Sequence, residues 1–395
     1  MSVLRSLNIG VSGLSAAGGG ISVVADNISN ASTTGFKASR AEFQDVLAKS
    51  LKGIDGGDQF GAGVRLAHIK PMMSQGDISR TESATDLAIS GDGFFRIEAP
   101  FGAGFSRDGS FHFDKEGSLV NSDGYKVLGF TADEKGKITN SLEPIKLGNT
   151  TVPARASSEV EISMNLDVTE PVKEFNIEDP DNTSSYASSV TVYDNVGTAR
   201  LVSLYFNKVD NNNWEYHAVV DGADAEGGTK GKMVEMAKGN LVFNDEGLLL
   251  EEREGQNSFN FGQGAKPDQK IKFNFGESLK EGGNGLMAST QYGSKSTIAR
   301  HFQDGYSAST LASISFNDDG VLTAVYTNGI NRDIAQINVT RFEDNESLFK
   351  MGKNLYKETR KSGQGVNGKP TEGGRGSIMS KSLELSNVDI AHEFV

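Results

Sequence analysis

The most regular alternation of apolar and polar positions lies at the start of the chain. Leu4, Val11, Gly18 and Ala25 recur every seven residues, and so do Leu7, Leu14, Ile21 and Ile28. The two sets interleave at spacings of three and four, the a/d seam of a helix that meets another helix. The pattern predicts a helix filling residues 1–30, regular from Val3 to Ser29 and about 40 Å long. It ends in "NISNASTTGFKAS", Asn27 to Ser39. Asn27 and Asn30 compete with the helix backbone for hydrogen bonds. Ser32, Thr33 and Thr34 favour turns, and Gly35 admits a positive φ. With no strand before it and no P-loop pattern, the run is a helix stop and not a phosphate loop.

An apolar seam is also what the core helix of an ordinary globular domain would show. Two features favour assembly instead. The seam is narrow, as in a coiled coil. Gly18, Gly19 and Gly20 in mid-helix each cost about 1 kcal/mol relative to Ala, so the helix needs a partner and is expected to order on assembly. Leu4, Leu7, Val11, Leu14, Ile21, Ala25 and Ile28 are the candidate assembly residues. The expected partner is another heptad helix, and "SNVDIAHEFV" starts one. Ser386 is placed as N-cap with Asp389 completing a capping box, and Val388, Ala391 and Val395 share a face. The pattern runs to Val395 after about two and a half turns, so this C-terminal helix is read as truncated. An uncharged run from Ser6 to Ala25 behind Arg5 also raises a signal peptide, but it holds many Ser and Gly and no block of seven consecutive apolar residues. A membrane span, which needs about 20 predominantly apolar residues, fits less well still.

From Met72 onward the period becomes two. Short runs around Phe94 and Arg96, and around Phe111 to Phe113, are bounded by "SRDGS", "DKEGS", "NSDGY" and "DEKGK", which read as hairpin turns. An EF-hand is not matched, because no segment carries the closing Glu. Val202, Leu204 and Phe206 share one strand face; Trp214, Tyr216, Ala218 and Val220 share another. The fold class is therefore mainly β, with two nested β domains, one inserted in the other, and heptad-patterned helices at the ends. Residues 31–71 read as an extended linker and 72–149 as the first part of the inner β domain. Residues 150–285 form the inserted β domain, with "KEGGNG" as its flexible exit. The inner domain returns over 286–360, a Gly-rich linker covers 361–385, and 386–395 begin the last helix.

Composition narrows the chemistry. The 395 residues carry 52 Asp and Glu against 39 Lys and Arg, a net charge of −13, which disfavours a nucleic-acid partner. With no Cys there is no disulfide, thiolate nucleophile or Cys-based zinc site. His68, His112, His217, His301 and His392 are scattered without metal-ligand spacing. There is no G-x-S-x-G elbow and no dinucleotide fingerprint. No catalytic residue, metal site or cofactor is expected, and an enzyme is not.

The motifs carry a resemblance. "NISNASTTGFKAS", with Asn27, Asn30, Thr34, Gly35 and Phe36, resembles the N-terminal signature of the bacterial flagellar axial family of rod, hook and hook-associated proteins. "SATDLAISGDGFFRI", with Asp86, Leu87, Gly91, Gly93, Phe94 and Phe95, resembles that family's second hallmark. "LELSNVDIAHEF", with Ser386, Asn387 and Val388, resembles the entry to its C-terminal helix. "SVTVYDNVGTARLVSLYFNKVDNNNWEYH" is similar to the outer domain of the hook branch. The resemblance implies a structural subunit of the hook, a flexible tube that passes torque from rod to filament. It also implies self-association into a helical homopolymer. Contacts with the distal rod protein, the hook cap, the hook–filament junction proteins and the export apparatus follow, with an extracellular location reached without a cleaved signal. No nucleic acid and no membrane insertion are expected. A distal rod protein is one alternative, weakened by the insertion over 150–285. A secreted β-rich adhesin or glycan-binding protein, with a signal cleaved near Ala25, is another.

Overall fold

The apolar seam at the N-terminus lies on a continuous helix, α1, Val3–Ser29. The computed structural model describes residues 3–47, 61–133, 136–148, 150–283, 285 and 287–394; Val395, expected to share a face with Val388 and Ala391, lies outside them. The chain divides into two units. One is built from Met1–Thr150 and Leu311–Val395, and the other from Thr151–Thr310.

In the first unit, the segment expected as a linker over 31–71 contains an antiparallel hairpin of β1, Ser39–Leu47, and β2, Gly61–Pro71. Its register shifts at Glu42/Phe43 and again at Asp45/Leu47. Each shift moves the following side chains to the other face, which hides the period of two from the sequence. Within the chain α1 packs chiefly on this hairpin, and its C-terminal end also meets the short helix Ile390–Glu393. Ala16 and Val23 are buried there. A Cβ at Gly19 would lie 3.3 Å from Leu66 Cδ2, and one at Gly20 3.2 Å from the Phe43 ring. Gly19 and Gly20 thus let the sheet approach, and that packing offsets their helix-propensity cost. Ser12 completes the contact: its hydroxyl accepts from Val64 N at 3.2 Å.

The remaining strands of this unit interleave the two halves of the chain. Lys126–Ala132 pairs with Asn331–Ile337, Phe94–Ala99 with Val339–Arg341, and Gly102–Ser106 with Leu355–Lys357. One core joins Leu87, Ile89, Phe95 and Val127 to Leu322, Ile337, Val339 and Ile378. The expected Gly-rich linker over 361–385 is part of this packing. Val366–Gly368 pairs with Val339–Arg341, Ser377–Ser380 with Leu87–Ser90, and Ser382–Glu384 with Ile78–Arg80. Its glycines give close approach and not slack: a Cβ at Gly376 would sit 2.4 Å from Ser90 O. Where the second unit leaves and rejoins, Leu311 N donates to Thr150 O at 2.8 Å.

The second unit holds a five-stranded antiparallel sheet of Tyr186–Tyr193, Ala199–Lys208, Asn213–Asp221, Met233–Phe243 and Leu249–Asn257, in that order. A smaller sheet surrounds Glu159–Asp167, and the inner faces of both share one core around Phe206, Trp214, Tyr216 and Phe273. The unit extends past the expected boundary at 285. Thr290–Tyr292 and Thr297–Gln303 both hydrogen-bond to Glu159–Asp167, so "KEGGNG" precedes strands of the same unit. Glycine content marked a turn there but could not say which sheet the chain re-entered.

The hairpin turns share one device. Oδ1 of Asp114, Asn121, Asp194 and Asn244 each accepts from the backbone N–H groups two and four residues on. The glycines three residues on, Gly117, Gly124, Gly197 and Gly247, have φ between 76° and 84°. The short acceptor side chain pins the turn, and the glycine supplies the left-handed residue that returns the strand.

Candidate assembly site

Packing on the hairpin uses one stripe of α1 and leaves the predicted seam on the other. Leu4, Leu7, Val11, Leu14 and Ile21 are 72, 62, 57, 77 and 68 % exposed. Ala25 is exposed, and Ile28 at the helix end is half-buried. A helix with this much aliphatic surface in water is poised for a further apolar contact. By length and apolar composition alone Ser6–Ser29 is also able to cross a bilayer.

The motif residues converge beneath the C-terminal end of α1. Asn27 is buried; its amide donates to Ser39 O and Glu393 Oε1 at 2.8 and 2.9 Å, and its Oδ1 accepts from Ser39 N at 2.8 Å. One side chain thereby joins the helix end, β1 and the last helical turn, Ile390–Glu393. Asn30 donates back to Asp26 O at 2.9 Å, and Asn354 donates to Thr34 O at 3.1 Å. Gly35 adopts φ 66°, and a Cβ there would lie 2.5 Å from Asp108 N, so only glycine fits. The Phe36 ring lies under the Lys350 ammonium, 4.7 Å from its centroid.

Behind this turn sits a buried ionic cluster. Lys37 Nζ donates to Glu384 Oε1 at 2.5 Å and to Ser74 O at 2.7 Å. Arg107 Nη1 donates to Glu384 Oε2 at 3.2 Å, and its Nη2 to Gly91 O at 2.7 Å. Glu384 Oε1 also accepts from Gly76 N at 2.9 Å. Burial pulls the Lys37 ammonium below its ordinary pKa, against the attraction of Glu384, and burial lowers Arg107 likewise. A single carboxylate holds two cations out of water and ties residues 37 and 107 to the end of the chain.

Asn387 extends the tie. Its Oδ1 accepts from Ala38 N at 2.8 Å, and its amide donates to Met72 O at 2.8 Å. These bonds hold 386–388 outside the helix. The N-cap is accordingly Asp389, whose carboxylate accepts from Ala391 N and His392 N at 2.9 and 3.3 Å. Ser386, expected in that role, accepts from Val388 N at 3.3 Å instead. The second motif lies apart from α1. Leu87, Phe94 and Phe95 are core residues, and Asp86 O accepts from Ser382 N at 3.3 Å. Gly91 and Gly93 have φ 108° and 130°, and a Cβ at Gly93 would overlap Val339. Lys37, Arg107 and Glu384 were not singled out from the sequence. The only signal was their charge within otherwise apolar or turn-forming runs.

Three family descriptions match in chain order: Flagella basal body rod protein over residues 7–37, Flagellar hook protein FlgE/F/G D1 domain over 88–169, and Flagellar basal body protein FlaE D2 domain over 163–306. The flagellar hook protein FlgE of Escherichia coli K12 is 32% identical over 394 residues, covering 98% of this chain and 91% of that protein. The chain belongs to the flagellar hook protein family. Hook protein FlgE of Treponema pallidum is 30% identical over 434 residues, covering 99% of this chain and 93% of its own. The crystal structure of Helicobacter pylori flagellar hook protein FlgE2 shares the fold, with a TM-score of 0.57 and 15% identity over 78% of this chain and 100% of that one.

Proposed function

We propose that the chain is a structural subunit of the bacterial flagellar hook, polymerising into a tube that carries torque from rod to filament. The observation that carries this reading is the aliphatic stripe left exposed on α1 although the helix already packs on β1 and β2. Near-full-length similarity to hook proteins supports the same reading. On this reading the stripe meets helices of neighbouring copies and not a bilayer. The distal rod protein, the hook cap, the junction proteins and the export apparatus are its further partners, and the chain leaves the cell without a cleaved signal. The subunit has a mechanical role and performs no catalysis.

Ile21→Asp tests it. A carboxylate in a closed apolar seam costs several kcal/mol, and every assembled copy carries that cost. Sedimentation should find no polymer, while the melting transition of the monomer stays where it was. Tubes of normal yield from the variant would refute the stripe as an assembly surface, and a lost monomer transition would make it part of an ordinary core.

A further inference from the structure

A groove of about 510 Å³ opens in the first unit between β2 and the strand Phe349–Gly352. Two cations stand on its rim: Arg360 and Lys361 line it, both exposed and without an ion pair among the described residues. The one carboxylate among the lining residues, Glu346, is held by Lys70 at 2.5 Å. At the floor, the Lys350 ammonium donates to Lys37 O and Ser39 Oγ, both at 2.9 Å, and to no carboxylate. Neutral acceptors and the Phe36 ring meet that charge directly, and the Asp26 carboxylate attracts it from beyond ion-pair distance. Beside these cations Phe349 is 60 % exposed.

A half-buried ammonium with no carboxylate at ion-pair distance, under a rim that carries Arg360 and Lys361, gains from an incoming anion. An exposed aromatic at the same place adds an apolar anchor of the type found at the centre of interfaces. The chain as a whole carries −13, and its second unit holds 24 Asp and Glu against 14 Lys and Arg. A cationic groove is complementary to the acidic excess that the second unit of each copy carries. We infer that this groove is a self-recognition site, in which a carboxylate-bearing segment of a second copy pairs with Arg360, Lys361 and Lys350 and packs on Phe349. The inference rests on the self-assembly reading above but concerns a surface separate from the α1 stripe.

The test replaces Phe349 with a photoactivatable phenylalanine analogue in the full chain and irradiates assembled material at low and high ionic strength. An adduct of twice the chain mass is expected, weaker at high salt, with an Asp- or Glu-containing peptide at the captured end. Arg360→Glu combined with Lys361→Glu should lower its yield roughly tenfold, because attraction becomes repulsion. Both positions are exposed, and an unchanged melting curve verifies that the double variant is folded. Tubes that form without a Phe349 adduct, or an adduct indifferent to charge reversal, overturn the groove proposal and leave the hook reading standing. Saturable binding of inorganic phosphate with no intermolecular adduct overturns it in favour of a small-anion site. Absence of any polymer from the unmodified chain refutes both readings.

Discussion

The second unit takes its five-stranded sheet from residues 186–257 in unbroken order, each strand paired with the next in the chain. The first unit assembles strands that an intervening domain holds apart in sequence. Lys37 and Arg107 reach Glu384 across 347 and 277 positions. Local pairing closes short loops, whereas distant pairing must meet the loop entropy before any contact repays it. Charge differs as well: the second unit accounts for most of the acidic excess, while the first holds 28 acidic residues against 25 basic ones. The contrast teaches that the two outer stretches of the chain, residues 3–40 and 376–394, are a structural closure of the first unit.

Glu384→Gln should break this comparison most severely. It leaves Lys37 and Arg107 buried without their carboxylate, a loss of about 3–5 kcal/mol by analogy with other broken buried pairs. The first unit should lose protection in hydrogen exchange. Trp214, the single tryptophan and a core residue of the second unit, should report an unchanged fluorescence transition. Simultaneous melting of both units would show that the Glu384 cluster supports more than the first unit.

Glu252 should give a smaller effect, confined to the second unit. Burial raises its carboxyl from 4.5 to about 7, although Phe275 N donates to it at 3.3 Å. A raised carboxyl binds its proton more tightly when folded. Its contribution is therefore complete below the unfolded pKa of 4.5 and is lost as pH rises through about 7. Raising the pH from about 5 to about 8 should cost this unit up to about 3 kcal/mol. Glu252→Gln should remove that slope, with Trp214 as the reporter. An equal slope in the variant would assign the pH dependence elsewhere.

The mildest change is Asp389→Ala. It removes the cap of the Ile390–Glu393 turn and should cost about 1 kcal/mol. Faster amide exchange of Ala391 and His392, with no change at Trp214, is the expected result. A shift of the whole first unit would make this turn integral to its fold.

Reading the sequence succeeded where a residue's partner is nearby or its face repeats. The seven-residue period places α1, and the alternation of Trp214, Tyr216, Ala218 and Val220 marks side chains that are all buried. Turns closed by Asp114 or Asn121 are legible for the same reason, since donor and acceptor lie within four residues. The β1–β2 hairpin was missed because two register shifts scramble its alternation. Residues 361–385 were misread because glycine signals both freedom and close packing, and only the neighbour at Ser90 or Thr340 decides which. At the candidate site the motif residues Asn27, Gly35 and Asn387 were visible as motif. Glu384, whose carboxylate holds Lys37 and Arg107 behind the turn at Gly35, offers only its charge and no periodic signature.

The hydrogen bond from Leu311 N to Thr150 O has an evolutionary consequence. The two chain crossings into the second unit leave the host side by side, at a spacing a tight turn is able to bridge. A host closed in this way tolerates replacement of its guest, because neither crossing has to move. Sequence drift, resizing or exchange of residues 151–310 is then free to proceed on its own clock, while the terminal closure around Glu384 evolves under the constraints of every strand it ties together.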